Sequence, residues 1–184
     1  MYTLSMKIIG VGGTLRKGSY SRALLLEAQK LAPEGVVIEL TEFGDFPLYN
    51  PDIEMPAVVK EFKNKVKAAD AILFSTAEYN YSIPGSLKNA LDWASRPYGD
   101  NSFEEKPAAI MSESVGNISG SRAVYHLKQI MTYLNVHVLN KPELMVPNVG
   151  EKFDEQGDLT DEHTKEKIKE LLGALVIWTE RLNK

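Results

Sequence analysis

Glycines, hydroxyls and arginines crowd into one short stretch of this chain, Gly12-Gly13-Thr14-Leu15-Arg16-Lys17-Gly18-Ser19-Tyr20-Ser21-Arg22. It lies between an apolar run, Met6 to Val11, that reads as a buried first strand, and a helix pattern over Ser19 to Leu31 with Leu24, Leu25, Ala28 and Leu31 at helical spacing. Unpaired N–H groups and the dipole of a helix start favour an anion, and arginine adds charge-assisted hydrogen bonds. Phosphate binding is the chemistry these residues suit; the plainer alternative is a polar turn ahead of a capped helix. Two nucleotide patterns come close and fail. Gly10-x-Gly12 would need glycine at position 15, where Leu15 stands, and Gly13-x-x-x-x-Gly18 is followed by Ser19 where a P-loop has lysine. A cradle lacking that lysine suits a terminal monophosphate better than a triphosphate.

Two further polar turns follow strand patterns. Thr76-Ala77-Glu78-Tyr79-Asn80-Tyr81-Ser82-Ile83 comes after the apolar run Ala71 to Ser75 and before an amphipathic helix that begins near Pro84. Ser112-Glu113-Ser114-Val115-Gly116-Asn117-Ile118-Ser119-Gly120-Ser121-Arg122 comes after Ala108 to Ser112 and before a helix over Ser121 to Leu134. Tyr79 and Tyr81 suit either half-buried packing or the wall of a ligand site. Glu78 reads as a solvated loop charge or a partner for Lys88, and no proton-transfer role is assigned to it.

The elements that must carry these loops alternate. Val36 to Leu40 is a second strand, and Pro56 to Ala69 a lysine-rich helix with Val58, Val59, Phe62 and Val66 turned inward. His137 to Leu139 begins a fifth strand that extends past Pro142 to Val146, and Thr160 to Leu182 is a long closing helix. Strands alternating with helices imply a doubly wound, five-stranded parallel sheet in the order 2-1-3-4-5, with helices on both faces and right-handed connections. In such a sheet ligands bind in the crevice at the carboxyl ends of the strands, where all three loops lie. Residues 1–184 read as a single domain, with Gly150 to Asp158 as a surface loop.

Composition narrows the classes of function. A net charge of −4 argues against nucleic acid as a main partner. The chain has no cysteine, which excludes disulfides, thiol catalysis and Cys-ligated metals. Met1 to Lys7 does not read as a signal peptide, and no apolar run is long enough to span a bilayer, so a cytoplasmic location and no membrane partner are expected. His126, His137 and His163 lack metal-ligand spacing, so no metal is expected, and no Gly-x-Ser-x-Gly elbow or acid/base pair of carboxylates stands out.

The run Glu78-Tyr79-Asn80-Tyr81-Ser82-Ile83-Pro84-Gly85-Ser86-Leu87-Lys88-Asn89-Ala90-Leu91-Asp92-Trp93 closely resembles the Glu-Tyr-Asn-x-x-x-Pro-Gly-x-Leu-Lys-Asn-Ala-x-Asp-Trp signature of NADPH-dependent FMN reductases. These are flavodoxin-like proteins that include quinone, chromate and azo-dye reductases. The first loop is similar to the family's phosphate loop, with Thr14 for its serine and Ser21 for its asparagine. The third is similar to Ser-x-Gly-x-x-Gly-Gly-x-Arg through Ser114, Gly116, Gly120 and Arg122, with Ser119 for a glycine and Glu113 an unusual charge near the flavin edge. The resemblance covers nearly the whole chain and implies FMN as cofactor with NADPH or NADH as co-substrate.

By this resemblance Thr14, Arg16, Ser19, Ser21 and Arg22 hold the FMN phosphate. Thr76, Glu78, Tyr79, Asn80 and Tyr81 wrap the isoalloxazine ring, with Ser114 and Gly116 at its edge. No side chain is assigned as catalytic, because the flavin carries the chemistry. The implied reaction passes a hydride from NAD(P)H to FMN and on to a quinone, azo dye, chromate or free flavin, by a ping-pong scheme. Arg122, Tyr125 and Glu143, with Tyr81, resemble the family's network between dimers, implying self-association to a dimer or tetramer. A flavodoxin-type electron carrier and a non-enzymatic flavin-binding module remain the alternatives.

Overall fold

The structure, a computed structural model, describes residues 5–183; Met1 to Leu4 of the amino-terminal segment, and Lys184, lie outside the described residues. Strands β1 (Met6–Gly12), β2 (Val36–Thr41), β3 (Ala71–Ala77), β4 (Pro107–Glu113), β5 (His137–Val138) and β6 (Leu144–Val146) form one sheet. The spatial order is β2-β1-β3-β4-β5, and every pairing is parallel. This is the expected 2-1-3-4-5 order. Helices α1 (Tyr20–Lys30), α2 (Ala57–Ala68), α3 (Gly85–Ala94), α4 (Ser121–Tyr133) and α5 (Glu162–Leu182) cover the sheet.

Each central strand is an unbroken apolar run because it is buried on both faces. In β3, Ile72 and Phe74 pack among residues of α2, α3 and α4, such as Phe62, Leu87 and Leu127. Ala71 and Leu73 point the other way, among Leu24, Leu25, Leu171 and Leu172 of α1 and α5. Full burial of one such large side chain contributes about 1.5–3 kcal/mol.

Two expectations fail at the margins. Val58 is exposed on α2, while Val59, Phe62 and Val66 are buried. At 100° per residue, adjacent positions 58 and 59 cannot both face the core, and the 59, 62, 66 spacing wins. The fifth strand does not run through to Val146: β5 stops at Val138, and β6 pairs separately with Met111–Glu113 of β4. Asn140-Lys141-Pro142 intervenes with a cis Lys141–Pro142 bond, and proline has no N–H for a ladder hydrogen bond. The result places Val146 beside Glu113, at the carboxyl edge of the sheet.

Candidate functional site

Parallel pairing brings the loops after β1, β3 and β4 to one edge of the sheet. The order reverses between β1 and β3, which opens the crevice there. The first loop leaves β1 tightly against β3. Gly13 N–H donates to Ser75 O at 2.7 Å, and a Cβ at Gly13 would lie 2.9 Å from Thr76 Oγ1 and 3.1 Å from its Cα. Only glycine lets the backbone pass that close. Ser19 is the N-cap of α1 and accepts from Arg22 N at 3.3 Å. The next two amides of a helix start have no intrahelical acceptor.

Thr14 and Arg16 line two clefts that flank this loop. One, of about 450 Å³, lies toward β2 and includes Lys17, Arg22, Thr41 and Phe43. The other, of about 190 Å³, runs past Ser19 and Tyr20 to Glu78, Tyr79, Glu113 and Ser114. The Thr14 hydroxyl is buried and has no hydrogen-bond partner in the chain. A buried hydroxyl without a partner costs free energy until something bonds to it. It sits beside an arginine and a helix N-terminus, the donor set for an anion such as the phosphate of FMN.

The expected phosphate ligands divide in two. Thr14, Arg16 and Ser19 face the clefts. Arg22 lines the larger cleft but donates through Nη1 to Glu42 Oε1 at 2.9 Å. Ser21 has no exposed surface, and its hydroxyl donates to Glu113 Oε1 at 2.6 Å. Its side chain is thus engaged beneath the helix start rather than turned to the loop.

The second loop is a two-residue hairpin turn. Tyr79 and Ser82 exchange backbone hydrogen bonds of 2.9 and 3.0 Å. Asn80 and Tyr81 between them have φ of 49° and 68°. Left-handed backbone is ordinary for asparagine and uncommon for tyrosine, and such conformations gather at binding sites. Tyr81 is 71% exposed, and Tyr79 is also exposed. The Arg122 guanidinium stacks 3.8 Å over the Tyr81 ring, an interaction of about 0.5–1 kcal/mol at an exposed site. Thr76 lies buried at the end of β3, its hydroxyl donating to Ala77 O.

Glu78 does not pair with Lys88. Lys88 pairs with Asp92 one helical turn on, while Glu78 accepts from Arg122 Nε at 2.5 Å and from Arg122 N at 3.2 Å. The N-cap of α4, Gly120, has no side chain to offer. Glu78 caps that helix from another loop, and a carboxylate there is stabilised by the helix dipole.

The third loop turns on Gly120, with φ of 72°. A Cβ there would lie 3.2 Å from Glu113 O and from Ser112 Cβ. Ser119, which stands where a glycine was expected, also takes a positive φ of 61°. Ser114 lines the smaller cleft and accepts from Gly116 N at 3.0 Å. Glu113 is 4% exposed. Burial pushes its carboxyl up to about 7, and the Ser21 hydroxyl and backbone amides hold it back only in part.

Sequence reading did not single out Val149, whose buried side chain closes the smaller cleft from the turn after β6. Only an apolar residue flanking a polar stretch could have signalled it. Of the oligomer candidates, Tyr125 donates to Glu143 within the chain at 3.3 Å, and Lys128 donates to the same carboxylate at 3.0 Å. Among the described residues no group of His, Asp and Glu side chains could hold a metal ion, and no helix is long and apolar enough to cross a membrane.

The comparisons with known proteins show the family and the fold. The family model described as NADPH-dependent FMN reductase matches residues 6–151. An NAD(P)H-dependent FMN reductase of Pseudomonas aeruginosa is 48% identical over 180 residues, covering 96% of this chain and 97% of the relative. An NADPH:quinone oxidoreductase of Arabidopsis thaliana is 43% identical over 186 residues, covering 96% and 93%. The solved structure of a flavoenzyme NAD(P)H:(acceptor) oxidoreductase from Paracoccus denitrificans superposes with a TM-score of 0.88 at 36% identity, covering 96% of this chain and 98% of that one.

Proposed function

This chain belongs to the NADPH-dependent FMN reductase family, and from that premise we propose that it is an FMN-dependent NAD(P)H oxidoreductase acting on quinones or similar small acceptors by a ping-pong scheme. FMN, when bound, would supply the redox chemistry between NAD(P)H and the acceptor. The chain supplies binding, orientation and electrostatics. Arg16, Ser19 and the first amides of α1 hold the phosphate, with the Thr14 hydroxyl gaining the partner it lacks. Tyr79, Asn80 and Tyr81 border the ring on a turn fixed by two backbone hydrogen bonds, and Ser114 and Gly116 close its edge. NAD(P)H and the acceptor would use the site in turn, and the proton a quinone needs beyond the hydride would come from solvent. The protein works in the cytoplasm as a single-domain subunit of a dimer or tetramer, with Tyr81, Arg122, Tyr125 and Glu143 at the contact.

The observation that carries this reading is the unpartnered, buried Thr14 hydroxyl beside Arg16 and the α1 N-terminus, at the switch point of the sheet. Removing Arg16 tests it. Arg16→Ala weakens FMN by about 1.5–3 kcal/mol, the scale of a hydrogen bond to a charged group, and leaves riboflavin binding unchanged because riboflavin has no phosphate. Equal affinity of the wild type for riboflavin and FMN contradicts the phosphate assignment. Steady-state NAD(P)H oxidation with a benzoquinone should give parallel double-reciprocal lines. Intersecting lines contradict the ping-pong scheme.

A further inference from the structure

Glu113 is the last residue of β4 and a buried carboxylate that the reaction as read above does not use. Its Oε1 accepts from Ser21 Oγ at 2.6 Å, in the first turn of α1. Its Oε2 is buried and has no partner in the chain. Glu113 lines the same cleft as Thr14, Arg16 and Ser19. The acid and the expected phosphate therefore share one helix N-terminus.

The groups around Glu113 do not neutralise it. Arg16 is the only cation among the described residues that line this cleft, and it is the one expected to meet the phosphate. On α1, Arg22 is turned to Glu42, and Tyr20 also faces the cleft. From the loop after β3 come Glu78, already paired with Arg122, and Tyr79. On the β6 side, Val146 and Val149 carry no charge. A carboxylate buried without a cation is costly, and a second anion brought to the same helix start raises that cost further. The neutral acid relieves both costs.

We propose that FMN binding in this chain is proton-linked through Glu113: once FMN is held at the loop after β1, as read above, Glu113 stands as a neutral carboxylic acid, and one proton from solvent is taken up with the cofactor. The reaction is Glu113-COO⁻ plus H⁺ giving Glu113-COOH, with no other bond made or broken. The consequence is a cofactor affinity that falls with rising pH above neutrality. Burial already holds the Glu113 carboxyl near 7, so this fall lies in an accessible range.

The test is FMN titration of the apoprotein by flavin fluorescence across pH 6 to 9, for wild type and Glu113→Gln. FMN's own phosphate titrates near pH 6 by analogy with phosphoserine, and Glu113→Gln carries that contribution alone. Relative to Glu113→Gln, wild-type affinity should fall by at least about tenfold from pH 7 to pH 9, since linkage allows up to about tenfold per pH unit. Calorimetry at pH 8 in buffers of different ionisation enthalpy should show close to one more proton taken up by wild type. Should Glu113→Gln fail to fold, two measurements remain. An FMN-minus-apo infrared difference spectrum of the wild type should gain a protonated-carboxyl band. In Ser21→Ala, which loses a donor to the carboxylate, the fall in affinity should move to higher pH. Parallel titrations for wild type and Glu113→Gln, with equal proton counts, overturn the proposal, as does the absence of that band. Failure of FMN to bind at any pH would instead remove the cofactor reading on which it rests.

Discussion

Glu78, in the loop after β3, and Glu113, at the end of β4, line one cleft and are held there in different company. Glu78 has a guanidinium and a helix amide: Arg122 donates to it from both Nε and the backbone. Glu113 has a hydroxyl and backbone amides only, and one of its oxygens has no partner. The first arrangement joins two loops through an ion pair. The second stabilises the charge too weakly to offset burial, so the group sits near its own titration point. A single cleft thus holds one carboxylate paired with a cation and one without. Two things separate them: a guanidinium packs against Glu78, and Glu113 lies deeper.

The largest effect expected from this contrast is on apoprotein stability against pH. Glu113 has a carboxyl raised from 4.5 to about 7 in the folded chain. The folded state therefore binds the proton more tightly than the unfolded one. Its contribution is fully present below about 4.5 and is lost as pH rises through about 7. At about 1.4 kcal/mol per pKa unit, the loss is on the order of 3 kcal/mol. Urea denaturation of wild type and Glu113→Gln from pH 5 to 8 should show the two diverging by that amount. Coincident curves would mean that Glu113 is compensated after all, and the contrast with Glu78 would vanish.

Next in size is Arg122→Ala, which strips Glu78 of both its ion pair and the stacking on Tyr81. The backbone bond to Arg122 N survives. A charged hydrogen bond on a largely buried carboxylate is worth about 1.5–3 kcal/mol, somewhat reduced here because the Arg122 side chain is 40% exposed. Denaturation should show a loss of about 2 kcal/mol that shrinks as salt is added, because salt screens a partly exposed ion pair. A loss independent of salt would assign the effect to packing instead.

Tyr81→Gly should move stability by less than about 1 kcal/mol. Relief of the left-handed tyrosine backbone and loss of the Arg122 stacking are of similar size and opposite sign. Steady-state KM and kcat for a quinone should change more than the melting temperature does. A melting temperature that drops by many degrees with kinetics intact would show that Tyr81 packs rather than borders the site.

The smallest effect belongs to Lys88→Ala. Lys88 pairs with Asp92 on an exposed helix face, and such i,i+4 pairs contribute about 0.3–0.5 kcal/mol. A double-mutant cycle with Glu78→Gln should give no coupling between the two positions. Coupling would restore the Lys88 partnership that the geometry denies.

The three polar loops were legible because each mixes residue types that serve no core. Gly13, Gly18 and Gly120 interrupt apolar patterns, and Thr14, Arg16 and Ser19 gather at a helix start. The strand order was suggested by five strands alternating with helices, for which 2-1-3-4-5 is a common doubly wound order. Val58 was misplaced because two adjacent valines leave the phase of a helix open by one residue until its neighbours are known. The break between β5 and β6 was harder to see because Leu144, Met145 and Val146 continue the apolar character beyond Pro142.

What the sequence by itself determined is the set of elements, their order in the sheet and the crevice edge where the loops meet. These follow from local periodicity, from turn chemistry and from the chirality of L-residues, all of which are written within a few residues of each position. Pairing was decided only by the tertiary structure. Arg122 meets Glu78 across 44 positions, and Ser21 meets Glu113 across 92. Glu78 and Glu113 are the same residue type, each ending up near a strand's carboxyl end. A charge's energy depends on what lies within a few ångströms of it in space, so one became an ion-paired carboxylate and the other a buried acid without a cation only when the chain folded.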